Sequence, residues 1–266
     1  MAIQDGCVQL TDGDMDYVSF GSGEKNLIVL PGLSDGLASV KGKALFLKKP
    51  YQPFLERYRV SMFSRRNDLP SGFSIRNMAE DQAEAMKGLG IRKASVLGVS
   101  QGGMIAQYLA IDHPDLVDRL VLAVTANQAN RLVRTCISRW IELSKAGNHK
   151  DLMIDTVESI YSEERLKKYR KVYPLLGRVG KPRSYDRFLA NAEAILAFDA
   201  SKELGRISAK TLILGGAEDQ IVGAEASREL AEGIRGAELF VYPGLGHGAY
   251  EEAGDFYPRI FAFLER

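Results

Sequence analysis

The most informative pentapeptide of the 266-residue chain is Gly98-Val99-Ser100-Gln101-Gly102, which is followed by Gly103. An apolar run at 94–97 precedes it and predicts a β-strand, and the residues at 104–110 have the composition of a helix. A serine at a sharp strand-to-helix turn is typical of a nucleophile elbow, which exposes the hydroxyl. Steric crowding explains the flanking glycines, because such a turn pushes the serine toward positive φ and leaves no room for a side chain at the neighbouring positions. Ser100 is therefore a candidate nucleophile.

Apolar runs and helix-like segments alternate along the rest of the chain. Continuous apolar runs are typical of strands buried on both faces, and their alternation with helices predicts an α/β fold with a mostly parallel sheet covered by helices on both faces. The first thirty residues add two short strands joined at the turn Asp12-Gly13-Asp14. Further strands are expected at 26–30, 58–63, 94–97, 119–124, 211–214 and 239–242, and helices at 41–49, 75–88, 104–110, 224–235 and 251–265.

A helix-prone segment interrupts this alternation at about 127–198. It has no buried-strand run, and its part from 127 to 187 contains 14 Lys and Arg against 7 Asp and Glu. We predict a helical lid at 127–198, inserted into a core domain formed by 1–126 and 199–266. Substrate-contacting residues of this basic lid would be Arg131, Arg134 and the only tryptophan, Trp140, although a solvated helix face is the commoner explanation for arginines at helical spacing.

A serine hydroxyl needs a base beside it, and the chain has three histidines. His113 ends the elbow helix, where a cation interacts favourably with the helix dipole, and His149 lies in a polar stretch that we expect at the surface. His247 differs, because it follows the last strand in a glycine-rich loop, at the sheet edge where catalytic groups collect. The loop after the preceding strand offers Glu218 or Asp219 as the acid, and Asp219 is the better candidate.

Acyl transfer also requires two N–H donors directed at the developing negative charge, an arrangement called an oxyanion hole. One predicted donor is the amide of Gln101, which follows Ser100 at the positive end of the elbow helix. The other is the amide of Leu33, because Gly32 before it gives the loop after Leu30 flexibility. Both roles belong to the backbone, so the side chains give little further support.

Composition and charge limit the other classes of function. An apolar content of 45% with 26% charged residues is ordinary for a soluble globular protein, and the net charge of +1 argues against a nucleic-acid or membrane-surface binder. The amino-terminal residues lack the basic and apolar regions of a signal peptide, so we expect a cytoplasmic protein with Cys7 and Cys136 as free thiols. The partner expected is a small acyl compound, and the sequence leaves a homo-oligomer open.

Taken together, these residues resemble the α/β-hydrolase superfamily, in particular its capped, esterase-like branch. The motifs that carry the resemblance are Leu30-Pro31-Gly32, the serine pentapeptide, 215–219 and Gly246-His247. The resemblance implies an eight-stranded sheet in which only the second strand is antiparallel. It also implies a serine hydrolase mechanism without a metal or an organic cofactor. Two departures are Pro31, where many relatives have histidine, and Arg65-Arg66-Asn67-Asp68, which replaces a glycine-rich turn.

The leading hypothesis is hydrolysis of a small ester or related acyl substrate through a Ser-His-Asp triad and an acyl-enzyme intermediate. An alternative on the same triad is hydrolysis of a carbon–carbon bond or a thioester, with the basic lid holding an anionic group. A third hypothesis is a receptor that binds a ligand without turnover, because a fold does not determine a function.

Overall fold

The computed structural model describes residues 3–266, and within that range it contains an eight-stranded sheet in the order β1-β2-β4-β3-β5-β6-β7-β8. Only β2 runs against the other strands. The expected fold class and the single antiparallel strand are therefore confirmed. The strands are β1 (Ile3–Leu10), β2 (Gly13–Phe20), β3 (Lys25–Leu30), β4 (Tyr58–Arg66), β5 (Ala94–Val99), β6 (Val117–Ala123), β7 (Lys210–Gly216) and β8 (Glu238–Tyr242).

Helices cover both faces of the sheet. Alternate residues of β3 belong to different apolar clusters: Ile28 and Leu30 to one, Leu27 and Val29 to the other. This period of two is why the central strands read as continuous apolar runs. The helices are α1 (Ala44–Leu47), α2 (Ile75–Gly88), α3 (Gln101–Asp112), α4 (Arg131–Lys145), α5 (His149–Ile160), α6 (Glu163–Tyr169), α7 (Tyr173–Leu176), α8 (Asp186–Leu196), α9 (Ala224–Gly233), α10 (Ala249–Glu252) and α11 (Phe256–Leu264).

Two expected helices are shorter than the sequence pattern indicates. The helix expected at 41–49 is reduced to α1, and a 3-10 helix over Lys49–Phe54 follows it. This 3-10 helix contains two prolines, which lack the N–H that an α-helix requires. The helix expected at 251–265 is divided into α10 and α11, with Gly254, a poor helix former, between them.

Helices α4 to α8 form an insertion between β6 and β7. Its two ends pair with each other, because the Ala129 N–H donates to the Phe198 carbonyl at 2.9 Å and the Ala200 N–H to the Asn127 carbonyl at 2.8 Å. The insertion thus leaves and re-enters the sheet domain at a short antiparallel stem. Its middle part has an apolar cluster of its own, separate from the two on the sheet and centred on Val157, Leu166 and Leu176.

His149 is buried within this insertion, so the expectation of a surface position is wrong. Its side chain is 2% exposed; Nε2 donates to the Val179 carbonyl at 2.8 Å and Nδ1 accepts from the Tyr185 hydroxyl at 2.9 Å. The polar residues around His149 in the sequence gave no sign of burial, because the residues that cover it come from 30 and 36 positions further along the chain.

The two cysteines are free thiols, as the sequence predicts, with Cys7 exposed and Cys136 buried. Burial raises the pKa of the Cys136 thiol to about 12, so this side chain is protonated at neutral pH. Among residues 3–266, no helix combines the length and the apolar character that crossing a membrane would require.

The elbow helix approaches the end of β3 so closely that only glycine fits at position 102. A Cβ atom placed on Gly102 would lie 1.9 Å from the Leu30 carbonyl oxygen, and one placed on Gly98 would lie 2.5 Å from the Gly102 carbonyl oxygen. Both obstacles are backbone atoms, which cannot rotate away. These contacts fix the position of the elbow relative to the neighbouring strand.

We therefore expect Gly102→Ala to lower the free energy of unfolding by more than about 2 kcal/mol, because the added methyl group overpacks the contact with β3. The measurement is urea unfolding followed by circular dichroism. The matched control is Gly205→Ala, since a Cβ there meets no atom within 4 Å. A change within about 0.5 kcal/mol for both variants would contradict the proposed packing.

Candidate active site

Ser100 lies at the turn between β5 and α3 in a strained backbone conformation. Its φ is 55° and its ψ is −120°, in a region that residues other than glycine rarely adopt. Neighbouring groups hold this conformation: the Ser100 N–H donates to the Ala123 carbonyl at 2.9 Å, and the Thr125 hydroxyl donates to the Ser100 carbonyl at 2.7 Å. Strain of this kind costs about 1–3 kcal/mol and persists only where surrounding contacts determine it. The turn presents a half-buried hydroxyl at the carboxyl edge of the sheet.

The structure brings Ser100, His247 and Asp219 into one hydrogen-bonded chain. His247 Nε2 lies 3.0 Å from Ser100 Oγ, and His247 Nδ1 lies 2.8 Å from Asp219 Oδ2. A carboxylate can only accept, so Nδ1 carries the proton and Nε2 is free to accept from the serine hydroxyl. Glu218, the other acid considered, is exposed, and the histidine contacts its neighbour instead.

Asp219 is 6% exposed, and its surroundings favour the charged form. Burial alone would raise the pKa of this carboxyl, but His247 and the backbone N–H groups of Ile221 and Val222, both within 2.9 Å of Oδ1, bring it below its ordinary value. The carboxylate therefore remains ionised at neutral pH and well into the acid range. It holds the histidine in one tautomer and would stabilise an imidazolium formed beside it.

The amides of Leu33 and Gln101 are unpaired donors. Neither makes a hydrogen bond to any acceptor in residues 3–266. Gly32 places the first of them beside the serine, because a Cβ on Gly32 would lie 3.3 Å from Ser100 Cβ. Gln101 follows the serine directly and begins α3, where the helix dipole adds positive potential. An oxyanion hole requires two free N–H groups close to the nucleophile, so the amides of Leu33 and Gln101 remain its predicted donors.

A buried ionic network lies beneath these two donors. The Asp35 carboxylate accepts from the Ser64 hydroxyl at 2.7 Å, the Arg65 N–H at 2.9 Å and Arg187 Nη2 at 2.7 Å. The Asp35 and Arg65 side chains are each 1% exposed. Burial lowers the pKa of Arg65 to about 10, so its guanidinium is still charged at neutral pH. Two arginines against one aspartate leave an excess positive charge inside the protein.

This network joins three segments: the loop after β3, the elbow and the insertion. Arg65 Nη2 donates to the Pro31 carbonyl at 2.5 Å and to Gln101 Oε1 at 2.8 Å. The same glutamine side chain donates to the Asn191 carbonyl in α8 at 3.0 Å. Arg187 also belongs to α8, so this helix contacts the segments that carry both free amides. The positions of the two donors are therefore coupled to the docking of α8.

The three residues predicted to contact substrate have surroundings of their own. Arg131 is exposed, and Arg134 Nη1 donates to the Leu196 carbonyl at 3.0 Å. Trp140 is buried and its indole N–H donates to Asp155 Oδ2 at 2.6 Å. None of the three has a hydrogen bond to Ser100, Asp219 or His247, and their role as substrate-binding residues stays a prediction.

Sequence reasoning missed the residues that support the site from below. No local pattern marks Asp35, Arg187 or Thr125 as part of the site, and Arg65 stands out in the sequence only as a departure from the family pattern. The one indication in the sequence is Arg65 itself, which directly follows the apolar and small residues of β4. A charged side chain at such a buried position needs a partner of opposite charge. Arg66 behind it pairs instead with Asp81 of α2, at 2.6 Å.

Comparison with known proteins gives one family over most of the chain. The family model described as alpha/beta hydrolase fold matches residues 25–254. Among curated proteins, the chain is 26% identical over 223 residues to the "Putative carbamate hydrolase RutD" of Caulobacter sp. strain K31, covering 79% of this chain and 82% of that protein. It is 28% identical over 242 residues to the "Proline iminopeptidase PfmaB" of Pestalotiopsis fici, covering 82% and 85%.

Solved structures show the same fold at lower identity. An alpha/beta hydrolase enzyme from a Medee basin deep-sea metagenome library, MGS-M2, has a TM-score of 0.84 at 20% identity, with 98% of each chain covered. The enol-lactonase from Burkholderia xenovorans LB400 has a TM-score of 0.80 at 22% identity, with 98% of this chain and 100% of that chain covered. At these identities the likeness establishes the fold alone.

The ionic network predicts a large effect of Arg187→Met. This change leaves the buried Asp35 carboxylate with one fewer cation, so we expect a loss of about 2–4 kcal/mol in the free energy of unfolding. The measurement is urea unfolding at neutral pH, with Arg178→Met as control because that arginine is exposed. Equal unfolding midpoints for the two variants would show that the Asp35 contact contributes nothing.

Proposed function

Because the chain belongs to the alpha/beta hydrolase fold family, we propose that it is a serine hydrolase that cleaves a small ester or related acyl compound. The observation that carries this proposal is the hydrogen-bonded chain from Ser100 through His247 to Asp219, next to two unpaired backbone N–H groups. A nucleophile, a base oriented by an acid, and donors for an oxyanion are the groups that acyl transfer requires.

In the proposed mechanism, Ser100 Oγ bonds to the substrate carbonyl carbon while its proton passes to His247 Nε2. The carbonyl oxygen becomes an oxyanion and accepts hydrogen bonds from the amides of Leu33 and Gln101. When this tetrahedral intermediate collapses, the bond to the leaving oxygen breaks and the histidine gives its proton to that oxygen. Water then attacks the acyl-enzyme by the same steps, with His247 as base, and releases the acid and the free serine.

The names of the relatives agree with acyl chemistry of this kind. One refers to a carbamate and another to an enol-lactone, and both compounds have a carbonyl bonded to a heteroatom that leaves as the tetrahedral intermediate collapses. We therefore place this chain's substrate among esters, lactones and carbamates. The buried positive charge of Arg65, which hydrogen-bonds to the Gln101 side chain, supports the same conclusion because it favours negative charge near that amide.

The alternative of a carbon–carbon bond or thioester hydrolase depends on an anionic group held by the basic lid. The structure gives this alternative little support, since Arg131 is exposed and the Arg134 side chain donates a hydrogen bond to the Leu196 carbonyl. A receptor without turnover would bind a ligand and raise the melting temperature without releasing product.

The nucleophile is tested with a fluorophosphonate probe, which forms a covalent bond with an activated serine. We expect the unmodified protein to be labelled at one site and Ser100→Ala to be unlabelled, because within residues 3–266 Ser100 is the serine whose hydroxyl hydrogen-bonds to His247. The control is Ser201→Ala, a change of another serine hydroxyl outside the triad. Equal labelling of Ser100→Ala and the unmodified protein, or no labelling of either, would overturn the proposal.

The acid is tested by comparing Asp219→Asn with Glu218→Gln. Asparagine keeps an acceptor for the Ile221 and Val222 amides but presents an N–H to His247, which favours the wrong tautomer. We expect probe labelling at neutral pH to slow by about 10⁴-fold in Asp219→Asn, the order by which the same change lowers turnover in another triad, and to be unchanged in Glu218→Gln. The opposite order would make Glu218 the acid.

The pH profile gives a further check on the same residue. The pKa of Asp219 lies below its ordinary value, so this carboxylate keeps its charge as the pH falls toward the usual aspartate range of about 4. We therefore expect no loss of labelling from Asp219 protonation above about pH 4. Its contribution to stability is present above the ordinary aspartate pKa and is lost as the pH falls through the lower, folded-state value.

A further inference from the structure

The segment 41–49 combines charge and exposed apolar surface in an unusual way. It reads Lys41-Gly-Lys-Ala-Leu-Phe-Leu-Lys-Lys49, with four lysines and no acidic residue. Leu45 is 78% exposed and Phe46 is 80% exposed, the highest values among the exposed large apolar side chains of the described residues. Two such side chains next to each other at the surface are uncommon unless something else covers them.

The folded structure holds these two side chains outward. Val40 and Ala44 are buried before them and Tyr51 is buried after them, so the segment is anchored on both sides. Between the anchors, the Gly42 N–H donates to the Asp5 carboxylate at 2.8 Å, which ties the segment to β1. The single turn of α1 can bury only one side, and it buries Ala44, so Leu45 and Phe46 face the solvent.

The lysines give this surface a charge that the overall composition hides. Lys41, Lys43 and Lys49 are exposed and Lys48 is half-buried. Lys41 Nζ lies 3.7 Å from the Asp16 carboxylate, Lys43 Nζ donates to the Ala38 carbonyl at 3.0 Å, and the Asp5 carboxylate accepts from the Gly42 N–H. A surplus of positive charge remains around the two apolar side chains. The net charge of +1 for the whole chain averages over this cluster, so a low net charge does not prevent these residues from binding a membrane surface.

We propose that residues 41–49 form a docking surface for an anionic lipid bilayer, with Leu45 and Phe46 inserted at the level of the headgroups and the lysines against lipid phosphates and carboxylates. Apolar side chains surrounded by lysines suit binding at a membrane interface. The free energy from burying the apolar side chains and that from attraction to anionic lipids both contribute to the affinity. Contact with a second copy of the chain fits less well, because an isologous contact would place the four lysines of one copy against those of the other. This surface is independent of the proposed function.

The test is co-sedimentation of the 266-residue protein with vesicles of phosphatidylcholine alone and of an equal mixture of phosphatidylcholine and phosphatidylserine. We expect binding to the mixed vesicles at low salt, little binding to phosphatidylcholine alone, and a decrease as salt is added, since screening weakens the attraction of the lysines. Each lysine near an anionic surface contributes a factor of about five to the partition coefficient.

Two variants separate the apolar and the charged contributions. The double variant Leu45→Ser, Phe46→Ser and the double variant Lys48→Glu, Lys49→Glu are each expected to reduce binding by about tenfold or more. Matched controls on another exposed surface are Leu175→Ser and the pair Lys167→Glu, Lys168→Glu, which should bind like the unmodified protein. Circular dichroism checks that every variant is folded.

Three results would overturn the proposal. One is the absence of binding to the mixed vesicles at low salt. Another is equal loss of binding in the variants of 41–49 and in the α6 and α7 controls, which would indicate non-specific adsorption. The third is a dimer in gel filtration that Leu45→Ser, Phe46→Ser converts to a monomer, which would show that a second copy covers this surface.

Discussion

The close approach of the elbow to the end of β3 is the constraint on which the rest of the site depends. With no Cβ at Gly102, the first turn of α3 rests against the Leu30 carbonyl, and the chain has to turn sharply at Ser100 to enter the helix. The same approach places the loop after β3 beside the serine. The absence of a side chain at Gly102 therefore affects both the direction of the Ser100 hydroxyl and the distance from Ser100 to the loop after β3. The loops that carry His247 and Asp219 then add the base and the acid.

Beneath the elbow, buried ion pairs hold the chain, whereas around it the contacts are steric. Asp35, Arg65 and Arg187 are brought together from three separate parts of the chain, and their charges are removed from water at considerable cost. Such a group is weak evidence for stability by itself, but its geometry is strict, because each partner has to be in place for the others to remain buried. The group therefore specifies how α8 and the loop after β3 meet.

The sequence was a good guide wherever the signal was local. Apolar runs located the strands, because residues buried on both faces of a parallel sheet are apolar without interruption. The pattern of glycines located the elbow, and the loops after β7 and β8 held the acid and the base that the structure brings to Ser100. Signals between distant residues were absent: Arg187 lies 122 positions after Arg65, and His149 is covered by residues that no periodicity connects with it. A single sequence carries no record of such pairs.

The separate apolar cluster of Val157, Leu166 and Leu176 has a consequence for motion. Because it is not part of either cluster on the sheet, the free energy needed to open this middle part of the insertion depends on these few side chains and their neighbours, not on the main core. Opening of this part would also break the hydrogen bond from the Gly248 N–H to the Ile160 carbonyl and the two that Ser162 donates to Glu252. Because these bonds are made by residues that closely follow His247, the stability of this small cluster is linked to the loop that carries the histidine.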